Sequence, residues 1–338
     1  MILVTGATGF VGSHLMAELL KRGIKVRAAR RSGSKTDQAY EIMRYYSVDP
    51  EILTGSLEWV EADLLDPVDV EMAIDGIEIV YHTAATVSFD PGDRKKMIRH
   101  NTEITRNLVN ACLEKSIEKF IYVSSTATLG TAIEDEEVKE DTPWMEDEQG
   151  SAYSRSKIKS EMEVWRGIAE GLNAVIVNPS IIIGFGDWNR SSQKLFKAVW
   201  DGLKYYVDGV TGYVDIKDVV RSMIELAQSG ISGERFIISS ENLSYREVFQ
   251  MIANALNKPP PSKLATPFLL GMAWRVDWLA SKLYGKERSI TRDIARTGRH
   301  KKYFSSKKII ETTGIQFIPV AKSIEDTASE ILKARQTN

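Results

Sequence analysis

Tyr153 and Lys157 stand four residues apart in Gly150-Ser151-Ala152-Tyr153-Ser154-Arg155-Ser156-Lys157, where a helical pattern begins. That spacing sets both side chains on one helix face. A free tyrosine has a pKa of about 10, so its phenolate is scarce at neutral pH. An ammonium ~4 Å away, at an effective dielectric of ~20, contributes about 4 kcal/mol of Coulomb energy, roughly three pKa units. In bulk water the same contact is worth only about 1 kcal/mol, so the pair needs a sheltered cleft. A phenol lowered in this way would move a proton to or from a carbonyl or alcohol oxygen. The same spacing recurs at Tyr213…Lys217 and Tyr303…Lys307, and position separates the three. Only Tyr153 follows, by one loop, the apolar run that ends in Ser124-Ser125-Thr126. Tyr213 reads as part of a turn into a helix over 219–227, and Tyr303 lies in a basic surface segment.

A second pattern would hold an anion. Thr5-Gly6-Ala7-Thr8-Gly9-Phe10-Val11-Gly12 follows the first apolar run, Ile2-Leu3-Val4. A short strand turning through three glycines into a helix is the form of a dinucleotide pyrophosphate cradle. Gly6 permits the turn, Gly9 lets the backbone approach phosphate, and Gly12 lets the helix pack near the strand. The free N–H groups and dipole of the new helix face the anion. Some two dozen residues on, the second strand closes on Arg30-Arg31-Ser32, with Lys35 nearby. An NAD-preferring unit usually carries an acid here for the ribose 2′-OH, whereas arginine suits a 2′-phosphate. The expected cofactor is therefore NADP, with NAD as the other option.

The elements that must position these residues alternate. Strand-like runs at 24–28, 57–62, 78–82, 119–123, 174–177 and 235–238 are separated by helical patterns. This predicts an α/β fold, a doubly wound parallel (Rossmann) sheet with a smaller, mostly helical C-terminal substrate domain. Residues 1–180 form the cofactor domain, with 213–240 returning to it. Residues 181–212 and 241–338 form the substrate region. Val11, Leu15 and Leu19 share one face of the first helix, which Gly23 ends. The acidic stretch 134–148 reads as a solvated loop, although Trp144 could wall a substrate. A helix carrying Phe268, Met272, Val276, Leu279 and Leu283 is expected to be buried on one side. Trp274 and Trp278 on its second stripe could meet a lid, a dimer partner or a membrane surface.

Composition narrows the classes. Over 338 residues, 43% hydrophobic and 27% charged content is ordinary for a soluble globular chain. A net charge of -2 gives no reason to expect nucleic acid or an anionic membrane as partner. No run reaches the roughly 20 apolar residues of a membrane span. The single Cys112, in the apolar pattern Ile104, Leu108, Cys112, implies a reducing compartment and a buried helix face. The histidines at 14, 82, 100 and 300 lack metal-ligand spacing, so no metal is expected. With a strand starting at residue 2, a cytoplasmic location is expected.

The chain resembles the extended short-chain dehydrogenases/reductases, the NAD-dependent epimerase/dehydratase family. The resemblance rests on the Thr5–Gly12 motif, Asp63-Leu64, Thr83-Ala84-Ala85, Ser124-Ser125-Thr126, Tyr153…Lys157, Asn178-Pro179-Ser180 and Gly212-Tyr213-Val214-Asp215. It implies cofactor contacts from Gly6, Thr8, Gly9, Phe10, Val11, Gly12, Arg30, Arg31, Thr83, Ala84, Ala85 and Ser124. It further implies Asp63 and Leu64 at adenine, Lys157 on the nicotinamide ribose beside Tyr153, and Pro179 and Ser180 along the nicotinamide. The family's catalytic hydroxyl follows two small hydroxyl residues and precedes Ala, which favours Thr126 over Ser125. Val26-Arg27-Ala28-Ala29-Arg30-Arg31 is similar to the dihydroflavonol reductase and 3β-hydroxysteroid dehydrogenase branch. Ala127-Thr128 stand where sugar-nucleotide 4,6-dehydratases carry Asp-Glu, which argues against that dehydration.

The expected function is NADP(H)-dependent reduction of a carbonyl, or oxidation of the alcohol, on a fairly apolar small molecule. Tyr153, Lys157 and Thr126 would carry it. A sugar-nucleotide epimerase of the same family, or a non-catalytic NADP-binding sensor or scaffold, are the alternatives. Substrate identity, direction and oligomeric state, homodimer included, stay open at this level.

Overall fold

A computed structural model describes residues 1–49, 55–88, 91–132, 136–144, 150–266, 268–272, 274–275 and 298–336. With strands numbered along the chain, β1 (Ile2–Thr5), β2 (Val26–Arg30), β3 (Leu57–Glu61), β4 (Ile79–His82), β5 (Lys119–Val123), β6 (Ala174–Pro179) and β10 (Glu234–Ile238) form one sheet. All its pairings are parallel, in the order β10-β6-β5-β4-β1-β2-β3. Strands buried on both faces can be apolar throughout, which is why β1, β5 and β6 read as unbroken runs. The strand order reverses at β1, between β4 and β2, and a crevice opens there beyond the carboxyl ends.

Helices cover both faces. On one side α1 (Phe10–Lys21), α2 (Asp37–Tyr45) and α7 (Ile216–Gln228) share a core containing Leu15, Leu19, Ile42, Val219 and Met223. On the other, α3 (Pro67–Ile74), α4 (Arg94–Glu114) and α5 (Ala152–Ala169) bury Val70, Ile104, Leu108, Cys112 and Val164. Each fully buried Leu or Ile contributes about 1.5–3 kcal/mol. Burial raises the Cys112 thiol pKa, which suits packing and not nucleophilic attack. Gly23 ends the first helix with φ 74°, as its sequence position suggests.

A third core lies on the C-terminal side. It joins α6 (Lys194–Trp200), α8 (Tyr245–Ala255) and the terminal helix Val320–Gln336 through Phe196, Val199, Val248, Ile252 and Ile324. These pack on a small sheet of β7 (Ile181–Ile183), β9 (Val210–Asp215) and β11 (Glu241–Ser244), in the order β11-β9-β7. The stretch carrying β7, α6, β9 and α7 leaves and re-enters the large sheet at neighbouring strands. Ser180 N–H donates to the Ile238 carbonyl at 3.0 Å, and Gly233 N–H to the Ala174 carbonyl at 2.9 Å.

Three local expectations are corrected. Tyr213 is not in a turn but inside β9, fully buried, paired to Glu241 and Ile181. Its motif is rich in polar residues because Asp215 caps α7 by accepting from Lys217 N–H at 2.7 Å. Nor is the described part of the acidic stretch simply solvated. Val138 is buried against Phe304, and the Glu140 carboxylate accepts from Ile237 N–H at 2.9 Å. Finally, Phe268 is 74% exposed and Met272 48%, so the helical turn they begin does not bury that stripe. Trp274 is half-buried beneath the Arg275 guanidinium. Trp278, with Val276, Leu279 and Leu283, lies outside the described residues.

Candidate active site

Two structures meet at the carboxyl edge of the sheet. The first is the loop from β1 to α1. Gly6 has φ 68°, and a Cβ there would stand 2.7 Å from Ala84 Cα. A Cβ on Gly12 would lie 2.7 Å from the Thr83 hydroxyl and closer still to the Gly6 carbonyl oxygen. Both positions are therefore closed to side chains by the chain's own packing. Gly9 differs. Its Cβ would meet only the Gly6 carbonyl, at 3.1 Å, and otherwise open space before α1. The helix there has no side-chain cap, so its first N–H groups face outward. Thr83 donates to the Thr5 carbonyl at 2.7 Å, tying the far wall of the crevice to this loop. Thr8, Phe10, Val11, Ala84 and Ala85 are half-buried around it. An uncapped twelve-residue helix facing a glycine-walled crevice fits a pyrophosphate.

Beneath the loop, His82 Nδ1 is 2.8 Å from the Thr5 hydroxyl, and Nε2 is 3.0 Å from that of Thr105. Burial first, with Lys157 adding, pushes its pKa down to about 3. The ring is a neutral strut. His14 is a second: it is 2.8 Å from the Phe185 carbonyl, and burial holds its pKa near 4.

The two arginines after β2 are not equivalent. Arg30 is engaged: Nη2 meets Glu61 at 2.9 Å, Nη1 donates to the Ser34 carbonyl at 3.0 Å, and its Nε is buried without a partner. Arg31 is exposed. An acid does therefore stand beside the end of β2, supplied by β3 through the register Arg30↔Glu61. Asp63 accepts from Leu65 N–H at 3.0 Å, and Leu64 is buried beside α4 with its carbonyl held by Asn107 at 3.0 Å.

The second structure is the end of β5 against α5. Ser151 caps α5 by accepting from Ser154 N–H at 3.0 Å, which starts the helix one residue before Tyr153. The Ser125 hydroxyl is the neighbouring group that favours the Tyr153 phenolate. Thr126 is the next residue, first in a short 3-10 turn. Lys157 is buried, donating to the Val123 carbonyl at 2.6 Å and lying 4.9 Å from the centre of the Tyr122 ring. Burial pushes its pKa down to about 8, with Glu161 opposing.

Lowering of the Tyr153 pKa by Lys157 is not what the structure shows. Burial raises it, and only the Ser125 hydroxyl works the other way. The ammonium is turned to the Val123 carbonyl, and low dielectric penalises the phenolate more than any neighbour helps it. Ser124 is also turned inward, its hydroxyl 2.5 Å from Glu161. Pro179 and Ser180 end β6 beside this corner, both buried. Glu161 carries no motif of its own, and could have been found by carrying the i, i+4 series one turn past Lys157.

A doubly wound sheet with a glycine loop at its switch point, and a half-buried Tyr153 one helical turn before a buried Lys157 beside it, defines an NAD(P)-dependent enzyme of the extended short-chain dehydrogenase/reductase type. Comparison with known proteins agrees. The NAD dependent epimerase/dehydratase family model matches residues 2–239, and the chain belongs to that family. It is 27% identical over 331 residues to a putative dihydroflavonol 4-reductase of Synechocystis sp., covering 96% of this chain and 92% of the relative. It is 30% identical over 288 residues to sterol demethylase protein B of Methylococcus capsulatus, covering 83% of each. The crystal structure of gox2253 superimposes with a TM-score of 0.82 at 29% identity, over 99% of this chain and 98% of that one. Among the described residues, no helix is long and apolar enough to cross a membrane. Nor do any three His, Cys, Asp or Glu residues there group as for a metal.

Proposed function

We propose that this chain is an NADP(H)-dependent reductase of a carbonyl on a fairly apolar small molecule, working in a cytoplasmic, reducing compartment. The observation that carries the proposal is Tyr153 on α5 with Lys157 buried one helical turn on, its ammonium held by the Val123 carbonyl, at the same sheet edge as the Gly6–Gly12 loop. A bound nicotinamide would supply or accept the hydride. The protein's part is to hold the substrate oxygen and to move one proton. In the reductive direction Tyr153 donates its phenolic proton to that oxygen. A phenol whose pKa is raised by burial stays protonated until the transition state demands otherwise, which suits a proton donor. Ser125, and Thr126 beside it, offer hydroxyls to orient the oxygen. Lys157 keeps a positive charge next to the phenolate that forms, and it is placed to hold a ribose hydroxyl.

The Gly6–Gly12 loop would bind the pyrophosphate, Asp63 and Leu64 the adenine, and Thr83–Ala85 with Pro179 and Ser180 the far end of the cofactor. For the 2′-phosphate, Arg31 is the free guanidinium, while Arg30 would first have to leave Glu61. The relatives named as reductases of dihydroflavonol and cinnamoyl-CoA support reduction of an apolar or aromatic carbonyl. An NADPH-oxidation screen over ketones, aldehydes and UDP-sugars tests the reading. Turnover of an apolar carbonyl is expected. Isomerisation of a UDP-sugar without net oxidation would overturn it in favour of an epimerase.

A further inference from the structure

Glu161 is the third member of a series that begins with Tyr153 and Lys157, each four residues after the last on α5. Its side chain is 4% exposed. Five donor groups converge on it, two from the turn after β5, one each from β6 and β10, and one from its own helix. Oε2 accepts from Ser124 Oγ at 2.5 Å, Thr128 Oγ1 at 2.9 Å and Asn178 Nδ2 at 3.1 Å. Oε1 accepts from Arg235 Nη1 at 3.0 Å and Trp165 Nε1 at 3.2 Å. A carboxylate suits such a ring of donors because both its oxygens only accept and it has no proton to place, while the Thr128 proton is shared with the Ser125 carbonyl. A carboxamide cannot, since its NH2 must face donors whichever way it turns.

We infer that Glu161 is a positioning residue for proton transfer: it fixes the 123–128 turn, and so sets the Ser125 hydroxyl and the Val123 carbonyl against Tyr153 and Lys157. The inference rests on the reading of Tyr153 and Lys157 given above. Glu161 touches neither the phenol nor Ser125. At about 1.5 Å of rise per residue it lies ~12 Å along the helix from Tyr153. Its reach is indirect. Asn178 Nδ2 also donates to the Ser125 carbonyl at 3.2 Å, and the Thr128 hydroxyl, 2.9 Å from that carbonyl and 2.9 Å from Glu161, has one proton to share between them. Ser125 Oγ is held from the other side by Ala127 N–H at 3.1 Å. Every side chain that grips the Ser125 carbonyl is thus itself gripped by Glu161. Its negative charge also favours the protonated form of Lys157.

Arg235 extends this arrangement to the acidic stretch. Its Nε donates to the Glu140 carbonyl at 2.7 Å, while Glu140 accepts from Ile237 N–H. The carboxylate is therefore neutralised by a guanidinium that is pinned to a loop beside the site. Buried charge at this spot is tolerable because it is paired and fully hydrogen-bonded.

The test compares Glu161→Gln, Thr128→Val and Ser124→Ala with wild type in the full chain, using NADPH and an aromatic aldehyde that it turns over. A lost hydrogen bond to a charged group corresponds to a factor of about ten to a hundred. Glu161→Gln should lower kcat by that factor while leaving the KM for NADPH within about threefold. The alkaline limb of kcat should move to lower pH as Lys157 loses its charge more readily. Near-ultraviolet titration of the phenol, with the Tyr153→Phe form of each variant subtracted, should show the midpoint rising as the Ser125 hydroxyl that favours the phenolate is displaced. Thr128→Val should lower kcat by a few-fold without moving the alkaline limb.

A Glu161→Gln protein that melts earlier but keeps kcat, limb and midpoint would overturn the inference and leave a structural staple. Should Glu161→Gln not fold, unchanged kcat and midpoint in both Thr128→Val and Ser124→Ala overturns it equally. Undiminished turnover in Tyr153→Phe alone would instead strike the underlying assignment of the proton donor.

Discussion

The crevice loop and the Tyr153 corner lie at one edge of one sheet, yet they are built in opposite ways. The loop is made of backbone. Its working groups are N–H donors, and its side chains are absent where Ala84, Thr83 and the Gly6 carbonyl press in. The corner is made by side chains: Asn178, Thr128 and Glu161 hold one another, and Lys157 donates to the Val123 carbonyl. One region fails when atoms are added, and the other fails when they are taken away. Geometry that the main chain must adopt leaves a mark in residue types. Geometry that side chains negotiate among themselves leaves a much fainter one.

The sharpest way to break the contrast is Tyr153→Phe, which removes one oxygen. We expect kcat to fall by roughly 10²- to 10⁴-fold, the usual weight of general acid–base catalysis, with NADPH affinity within about threefold of wild type. Single-turnover kinetics and fluorescence titration measure the two numbers separately. Equal losses in both would erase the distinction between corner and cradle. Next in size is Gly12→Val, which adds atoms where none fit. Overpacking costs about 1–3 kcal/mol. The melting temperature and the NADPH affinity should drop together, and a variant that binds NADPH normally would show that α1 can slide away from β1.

Smaller effects should separate the two guanidiniums. Arg31→Ala should weaken NADPH about tenfold, in line with one lost charge-assisted hydrogen bond, and leave NADH unchanged. Arg30→Ala should do less, because Glu61 already engages that guanidinium. Matching losses for NADPH and NADH in Arg31→Ala would remove it from the 2′-phosphate. The smallest effect per unit concerns acid stability. His82 and His14 have folded pKa values near 3 and 4, below the usual 6.5, so the unfolded chain binds protons first. Each histidine's contribution is intact above pH 6.5 and is lost on acidification at about 1.4 kcal/mol per unit down to its folded value. Asp218, raised by burial to about 6, acts with the opposite sign below that pH and offsets part of the loss. Denaturant melts between pH 7 and 4 should show a flatter slope for His82→Gln, and an unchanged slope would mean the ring is not a buried neutral strut.

These differences explain what could be read in the residues beforehand. The central strands β1, β4, β5 and β6 are legible because burial on both faces demands apolar runs, whereas β2 and the half-exposed edge strand β3 show only a broken apolar pattern. The cradle is legible because only glycine fits at positions 6 and 12. The choice of Thr126 over Ser125 depended on motif position. How Asn178 and Thr128 hold the Ser125 carbonyl beside it is encoded by no local pattern. The Arg30–Glu61 pair was hidden for a similar reason, since strand register brings together residues 31 apart. Tyr213 reads as a turn in the sequence because a strand of six with Gly212 and Thr211 resembles a loop until its partners, β7 and β11, are known. A spacing of four places Tyr153 and Lys157 on one face, but it does not turn the ammonium, held by the Val123 carbonyl, toward the phenol.

The closed ends of the stretch between Ser180 and Gly233 have a consequence for how such a chain can diversify. Its two ends are clamped by backbone hydrogen bonds on adjacent strands, so the gap it must close is always one strand spacing wide. Lengthening a segment between fixed ends costs only about 0.6 kcal/mol per doubling. Within that stretch, the loops that lead in and out of α6 can therefore be exchanged as a cartridge while the seven strands, and the chemistry at their edge, carry on undisturbed.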